Sequence, residues 1–529
     1  MATTAFKLTY ASMFDPPEEL HEQFDRALAS MKAKDLGRTH PMLIDGRDVT
    51  APQTFENRSP INRQWLLGNI QAGTREHADA AVAAARAAFP AWSATPWRER
   101  IRIVRRAADL IESRLYELGA ATSLNVGKTR MESLADVQEA ADLMRVTCDW
   151  MERSNGYILQ QASEPLAGYT VRNTSVMKPH GVWLVISPFN FPPSLTCAPT
   201  GAALAAGNTV VTKPSPETSW IVCLLARCFT DAGVPDGVFN LVTGKDDEMG
   251  RLLVDHPGID GVTFTGSHAV GMDVYRKFAR GSYPRPVVLE MGGKNATIVS
   301  RNADLDDAAT GIVRAAFGTA GQKCSCTSRV YAEAPIHDAL IKRVVARTKA
   351  LRVGDPTHRD VYVGPLISER AYRTFVDACA DLGKHGRILT GGHTLTDGEY
   401  AHGFYAEPTV VAGVSYEHRC WRDELFVPLV TIGSVASLDE AMAMTNDTVY
   451  GLTGGFFGTP DETQWYFDRI QVGTSYANRS QGSSTGAWPG YQSFGGWKGS
   501  GASGKGTGSP YYIFSYMREQ SQTLVSKDR

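Results

Sequence analysis

The chain has 529 residues, enough for two or more domains with large cores. Its 54 Lys and Arg against 56 Asp and Glu leave a formal charge of −2, which gives no electrostatic basis for a nucleic-acid or membrane-surface partner. The 8 cysteines are dispersed without metal-site spacing to histidines, and no uncharged apolar run approaches membrane-spanning length.

Residues 1–15 show no helical or strand period and no apolar signal-peptide core, so they are expected to be poorly ordered. With the dispersed thiols, the expected location is a reducing compartment, the cytoplasm. Residues 17–34 place Leu20, Phe24, Leu28 and Met31 on one helical face. Residues 41–49 read as a hairpin turning at Asp45 and Gly46. Thr74 fits the N-cap of an Ala-rich helix ending near Phe89, and residues 97–124 and 130–153 read as two more helices. Residues 167–178 alternate as a strand or hairpin. From His180 onward short apolar strands alternate with helices: strands at 182–187, 208–212, 239–242, 261–264 and 287–289. This alternation means a parallel sheet covered on both faces. Residues 305–473 repeat it as a second α/β domain, residues 474–505 are Gly- and Ser-rich loop or lining, and residues 511–525 form a strand-like tail.

Three stretches carry chemistry. Phe317-Gly-Thr-Ala-Gly-Gln-Lys-Cys-Ser-Cys-Thr-Ser-Arg329 puts Cys324 behind a small-residue turn between a helix and a strand. A thiol there can expose its sulfur to a ligand, although most free cysteines only pack. Val287-Val-Leu-Glu-Met-Gly-Gly-Lys294 ends an apolar strand in Glu290, and Val185-Ile-Ser-Pro-Phe-Asn-Phe-Pro192 ends another in Asn190. Thiol, carboxylate and amide supply a nucleophile, a base and an oxyanion donor. Phe264-Thr-Gly-Ser-His-Ala-Val-Gly271 joins a strand to a helix and can hold a phosphate on its N–H groups, as can many ordinary turns.

These motifs, in this order and spacing, resemble the aldehyde dehydrogenase superfamily from about residue 41 to the C-terminus. Met291 replaces the usual Leu and Phe189 the usual Trp. The resemblance implies two parallel-sheet α/β domains plus a small β oligomerisation element. Residues 1–164 and 180–296 would form the NAD(P)-binding domain and 297–490 the catalytic domain. Residues 165–179 and 505–529 would be oligomerisation strands, and 491–504 an anchor loop and linker. It implies oxidation of an aldehyde through a Cys324 thiohemiacetal and thioester, with Asn190 on the oxyanion and Glu290 as base.

It further implies a cofactor, NAD with NADP possible, held by Ile186, Ser187, Pro188, Phe189, Lys213, Ser215, Pro216 and Glu217. Gly244, Phe264, Gly266, Ser267, Gly271, Met291, Gly292, Glu424 and Phe426 complete that set. Many NAD-preferring members carry a Glu at the position of Pro216; here Glu217 is one residue late, which leaves the choice between NAD and NADP open. Thr485-Gly-Ala-Trp-Pro-Gly-Tyr-Gln-Ser-Phe-Gly-Gly496 is similar to the anchor loop of 1-pyrroline-5-carboxylate dehydrogenases. That similarity implies glutamate γ-semialdehyde as substrate, with Glu139, Phe191, Ser325, Gly486, Ala487 and Phe494 around it. Trp488-Pro489 departs from those members and keeps an aromatic or longer-chain aldehyde as the alternative. Glu290 argues against a coenzyme A-acylating relative and Cys324 against a non-catalytic one. The expected partners are the aldehyde and further copies of the chain as a homodimer or larger homo-oligomer.

Overall fold

The computed structural model describes residues 6–481 and 487–528. Its first seven-stranded sheet runs Val287–Glu290, Gly261–Thr265, Val182–Ser187, Thr209–Pro214 and Phe239–Leu241 in parallel. The hairpin Met42–Ile44 and Arg47–Val49 extends it antiparallel. Asp45 and Gly46 take φ of 54° and 70°, the left-handed pair a two-residue hairpin turn needs. The strands are buried apolar runs because helices cover both faces.

The second seven-stranded sheet orders Arg387–Thr390, Thr409–Ala412, Leu429–Val435, Thr327–Glu333, Asn295–Val299, Thr453–Phe457 and Thr474–Ala477. All its pairs are parallel except the outer one at Arg387–Thr390. Asn295–Val299 already belongs to this sheet, so the chain crosses between sheets at Gly292 and Gly293, a little before residue 297. Tyr169–Pro179 pairs with Met517–Lys527 along eleven residues and with Ile158–Gln161, forming a three-stranded antiparallel sheet outside both.

Five local expectations change. The helix Arg75–Ala94 continues past Pro90, because the extra turn buries Trp92 and lets its indole N–H donate to the Leu204 carbonyl at 3.2 Å. The expected helix over 97–124 is two helices, Trp97–Ser113 and Leu115–Val126. Arg114 leaves helical geometry between them, and its guanidinium bonds Asp231 at 2.5 Å. Thr474–Ala477 is an edge strand rather than lining, with Thr474 and Tyr476 facing inward. The tail begins as a 3₁₀ turn, Tyr512–Tyr516, because Tyr512, Ile513 and Tyr516 are buried in the first core; the strand starts only at Met517. Finally, residues 6–15 are packed: Leu8 and Met13 lie with Leu20, Phe24 and Trp488 in one apolar cluster. Among the described residues no helix is long and apolar enough to cross a membrane.

Candidate active site

The helix Leu305–Phe317, capped by the Asp304 carboxylate on the N–H groups of Asp306 and Asp307, delivers the chain to the turn before Cys324. Thr319, Ala320 and Gly321 then adopt φ of 51°, 53° and 72° in succession. A β-branched threonine in the left-handed region is strained by roughly 1–3 kcal/mol, so its surroundings must hold it there. They do so with fixed bonds. The Thr319 hydroxyl donates to Glu132 Oε1 at 3.0 Å, and the Gln322 N–H donates to the Thr319 carbonyl at 3.0 Å. The Ile367 N–H donates to Gln322 Oε1 at 2.9 Å. A Cβ on Gly321 would stand 2.3 Å from the Val427 carbonyl, so only glycine fits.

This turn leaves Cys324 half-buried in the wall of a cavity of about 800 Å³. Glu290, the last residue of its strand, and Asn190, just beyond Val182–Ser187, line the same cavity. The Asn190 amide donates to the Gln322 carbonyl at 3.0 Å, which fixes it beside the nucleophile turn. An amide nitrogen carries two donors, so one remains for a ligand. Glu290 is 9 % exposed and its Oε2 has no hydrogen-bond partner among the described residues. Burial pushes its carboxyl up to about 8. Burial, then the charges of Glu424 and Glu290, hold the Cys324 sulfur well above the usual thiol range, so at neutral pH the resting group is a thiol.

One end of the cavity is a cleft between the two sheets. Ile186, Ser187, Pro188 and Phe189 line it from one strand end, and Lys213, Ser215 and Glu217 from the next. The Ser215 hydroxyl donates to Glu217 Oε2 at 2.5 Å, so the late carboxylate does face the cleft. Phe264, Gly266 and Ser267 follow, with Ser267 capping the helix His268–Phe278 through the Val270 N–H. Across from them stand Met291, Gly292, Glu424 and Phe426; the Phe426 and Phe189 rings meet edge-on at 5.9 Å. The Gly293 N–H donates to Glu424 Oε1 at 2.9 Å, and burial pushes that carboxyl up to about 7. A Cβ at Gly266 would strike the Phe264 ring at 2.5 Å, and one at Gly292 would strike Glu424 Oε2 at 1.9 Å. Glycines where backbone must come close, a capped helix N-terminus and flanking aromatic rings fit a dinucleotide.

Three expected cofactor residues do not line the cavity. Pro216 turns its carbonyl to the Asn57 amide at 2.7 Å. Gly244 backs onto Met249, and Gly271 packs under Met291 and Phe264. Of the expected substrate residues, Glu139, Phe191, Ser325, Ala487 and Phe494 line it, while Gly486, with Thr485, lies outside the described residues. Sequence reasoning missed Tyr10, Lys323, Gln492 and Thr507, which also line it. Trp488 and Pro489, noticed only as departures, are part of the wall too.

Residues 48–521 match the aldehyde dehydrogenase family. The chain belongs to the aldehyde dehydrogenase family. This family member is therefore an oxidoreductase acting on aldehydes. It is 34% identical over 516 residues to a 1-pyrroline-5-carboxylate dehydrogenase of Bacillus licheniformis, spanning 95% of this chain and 96% of the relative. A protein of the same description from Geobacillus thermodenitrificans is 36% identical over 506 residues, spanning 94% and 95%. The solved structure of a Thermus 1-pyrroline-5-carboxylate dehydrogenase with bound NAD superposes with a TM-score of 0.91 at 31% identity, over 100% of both chains.

Proposed function

We propose that this aldehyde dehydrogenase oxidises L-glutamate γ-semialdehyde to L-glutamate with NAD, as a step of proline catabolism. The observation that carries the chemistry is Glu290: a buried carboxylate with an unpartnered oxygen, in the same cavity wall as Cys324. The substrate reading is supported by relatives that carry the name 1-pyrroline-5-carboxylate dehydrogenase across nearly the whole chain.

In this reading the Cys324 thiol passes its proton to solvent water as its sulfur bonds to the aldehyde carbon. The free N–H of the Asn190 amide and the Cys324 backbone N–H hold the oxyanion, each donor lowering the barrier by roughly 3 kcal/mol. When bound, the nicotinamide supplies the acceptor for the aldehyde hydrogen. The dinucleotide would be held by the cleft residues from Ile186 to Phe426, and Lys213, Ser215 and Glu217 would serve its adenosine ribose. Cys324 is left as a thioester, and Glu290 then takes a proton from water so that the water oxygen attacks the acyl carbon; the C–S bond breaks, the carboxylate product leaves, and the sulfur takes back a proton as the Cys324 thiol. Ser325 and Ala487 hold the substrate carboxylate, and Phe191 and Phe494 flank its aliphatic chain. NADP is accepted less well, because the Glu217 carboxylate repels a 2′-phosphate.

We assign cofactor binding to residues 1–157 and 180–293, catalysis to 294–490, and assembly to 158–179 and 505–529, with 491–504 as anchor loop and linker; the expected bounds at 164 and 296 shift because Ile158–Gln161 pairs in the outlying sheet and Asn295–Val299 in the second one. Leu159, Leu524 and Val525 leave large apolar surfaces exposed on the outlying sheet, which fits a homodimer or larger homo-oligomer formed there. Its free thiols fit the cytoplasm.

The test is a panel of aldehydes with both cofactors. The semialdehyde should have the highest kcat/KM, and Ser325→Ala should raise its KM several-fold while sparing an alkyl aldehyde of equal length. Preference of the wild type for an uncharged or aromatic aldehyde would select the other substrate.

A further inference from the structure

The 3₁₀ turn Tyr512–Tyr516 buries two phenols against the first sheet, and the Asn208 amide holds the turn by donating to the Tyr516 carbonyl at 2.9 Å. Their hydroxyls belong to a chain with a fixed direction. The Trp183 indole N–H can only donate, and it donates to Thr263 Oγ1 at 2.9 Å. The Tyr516 hydroxyl donates to the Tyr512 oxygen at 2.7 Å. A hydroxyl has one proton, so the 3.0 Å contact between Thr263 and Tyr516 is a donation from Thr263. Every proton in the chain therefore points the same way, and that of Tyr512 is the last. Aligned bonds polarise one another, which makes the terminal hydroxyl a stronger donor than an isolated one.

That terminal proton lies on the side of Glu290. In the first sheet Thr263 pairs with Val288 and Thr265 with Glu290, so Thr263, Val288 and Glu290 point to one face. Val288, Trp183, Tyr512 and Tyr516 share the core on that face. Thr507, the side-chain hydrogen-bond neighbour of Tyr512, lines the cavity with Glu290. Burial holds both phenols above the usual range, and a charge on Glu290 acts on both in the same direction, so each stays a proton donor. On the elements packed around Glu290 the other ionisable groups are Cys324 and Lys323 in the nucleophile turn, Glu424 across the cleft and Lys213 on the sheet.

We propose that Tyr512 is a positioning residue for the general base: its hydroxyl donates to the Glu290 carboxylate once that group is ionised and holds it beside Cys324. This rests on Glu290 as the base and names what steadies its charged form. The neutral carboxyl needs no such donor, and its buried Oε2 is left without one. The ionised carboxylate does, because a buried charge without a hydrogen bond is costly. Glu290 ends its strand, and rotation about its side chain closes the contact. Tyr512 keeps its proton throughout; the proton that Glu290 takes comes from water. Because this donor favours the ionised form, it lowers the pH at which Glu290 becomes a base.

The experiment is the pH dependence of thioester hydrolysis, measured by rapid mixing of the whole enzyme with NAD and any aldehyde that the wild type turns over. Tyr512→Phe keeps the ring and removes the hydroxyl. Its pH midpoint should lie about one pH unit above that of the wild type, the scale of one hydrogen bond to a charged group, so hydrolysis at pH 7 should slow about tenfold. The high-pH plateau and the burst of reduced cofactor should stay within about twofold. Tyr516→Phe leaves Tyr512 as a donor but removes the hydroxyl that polarises it, so hydrolysis at pH 7 should slow about two- to threefold. If Tyr512→Phe does not fold, the Tyr516→Phe shift decides. A purely structural tyrosine pair would lower the denaturation midpoint and leave the pH midpoint in place. A pH midpoint unmoved or lowered, or a burst slowed as much as hydrolysis, would overturn the role of Tyr512, while a stall in Glu290→Gln kept Glu290 as the base. Steady turnover in Glu290→Gln would overturn both.

Discussion

Consider Glu290→Gln, which replaces a buried ionisable group by a neutral one of the same shape. The Glu290 carboxyl is raised to about 8 by burial alone, so it is ionised in roughly one molecule in ten at pH 7 and nine in ten at pH 9. If it activates the water that hydrolyses the thioester, that step should speed up about ninefold over the same interval. Rapid-mixing kinetics separate the two phases. The wild type should show a steady rate after any burst that climbs with pH and levels off above 8. Glu290→Gln should form reduced cofactor once per site and then stall at every pH. Stability supplies an independent arm. The folded-state value lies above the unfolded one, so ionising Glu290 opposes folding. That penalty is absent below about pH 4, grows as pH rises toward 8, and is complete above it, on the order of 5 kcal/mol. Relative to wild type, Glu290→Gln should therefore resist denaturation better at pH 9 and gain nothing at pH 4. A flat hydrolysis profile with unimpaired steady turnover in Glu290→Gln would refute the assignment of this base.

Glu217→Gln should raise kcat/KM for NADP relative to NAD about five- to tenfold, because it removes a charge from the cleft; an unchanged ratio would mean that Glu217 does not meet the ribose. Lys128→Met should cost roughly 3–5 kcal/mol of stability by stranding the buried Asp136 carboxylate, read as a lowered denaturation midpoint. Leu524→Asp should shift the sedimentation coefficient from an oligomer toward a monomer; a wild type already monomeric at micromolar concentration would defeat the assembly proposal.

Much of this was legible in the sequence because its signals are local. Val182–Ser187 and Thr209–Pro214 announce themselves as apolar runs between Gly and Pro, and such runs fit only a sheet buried on both faces. Glu290 ends a strand, and Cys324 and Asn190 sit in short turns between a strand and a helix, where a resemblance of a few residues suffices to mark them. Long-range packing was illegible. Tyr10 has no periodic neighbours and gains its place from Trp488 and Glu139, hundreds and more than a hundred residues away. Pro90 reads as a helix stop, and only the burial of Trp92 against Leu204 explains why the helix continues. Thr474–Ala477 hides its alternation beside glycines, and it becomes a strand because Thr453–Phe457 offers an edge. Pro216 sits within a cofactor motif by resemblance, yet its carbonyl is committed to Asn57.

The claim on which the rest depends is a covalent acyl group on Cys324. Mixing Glu290→Gln with L-glutamate γ-semialdehyde and NAD, quenching in acid and taking intact and peptide masses tests it most directly. The account predicts one glutamyl group per chain, on the peptide that contains Cys324, and neither adduct nor reduced cofactor in Cys324→Ala. Reduced cofactor formed by Cys324→Ala, or an adduct on another residue, would contradict it.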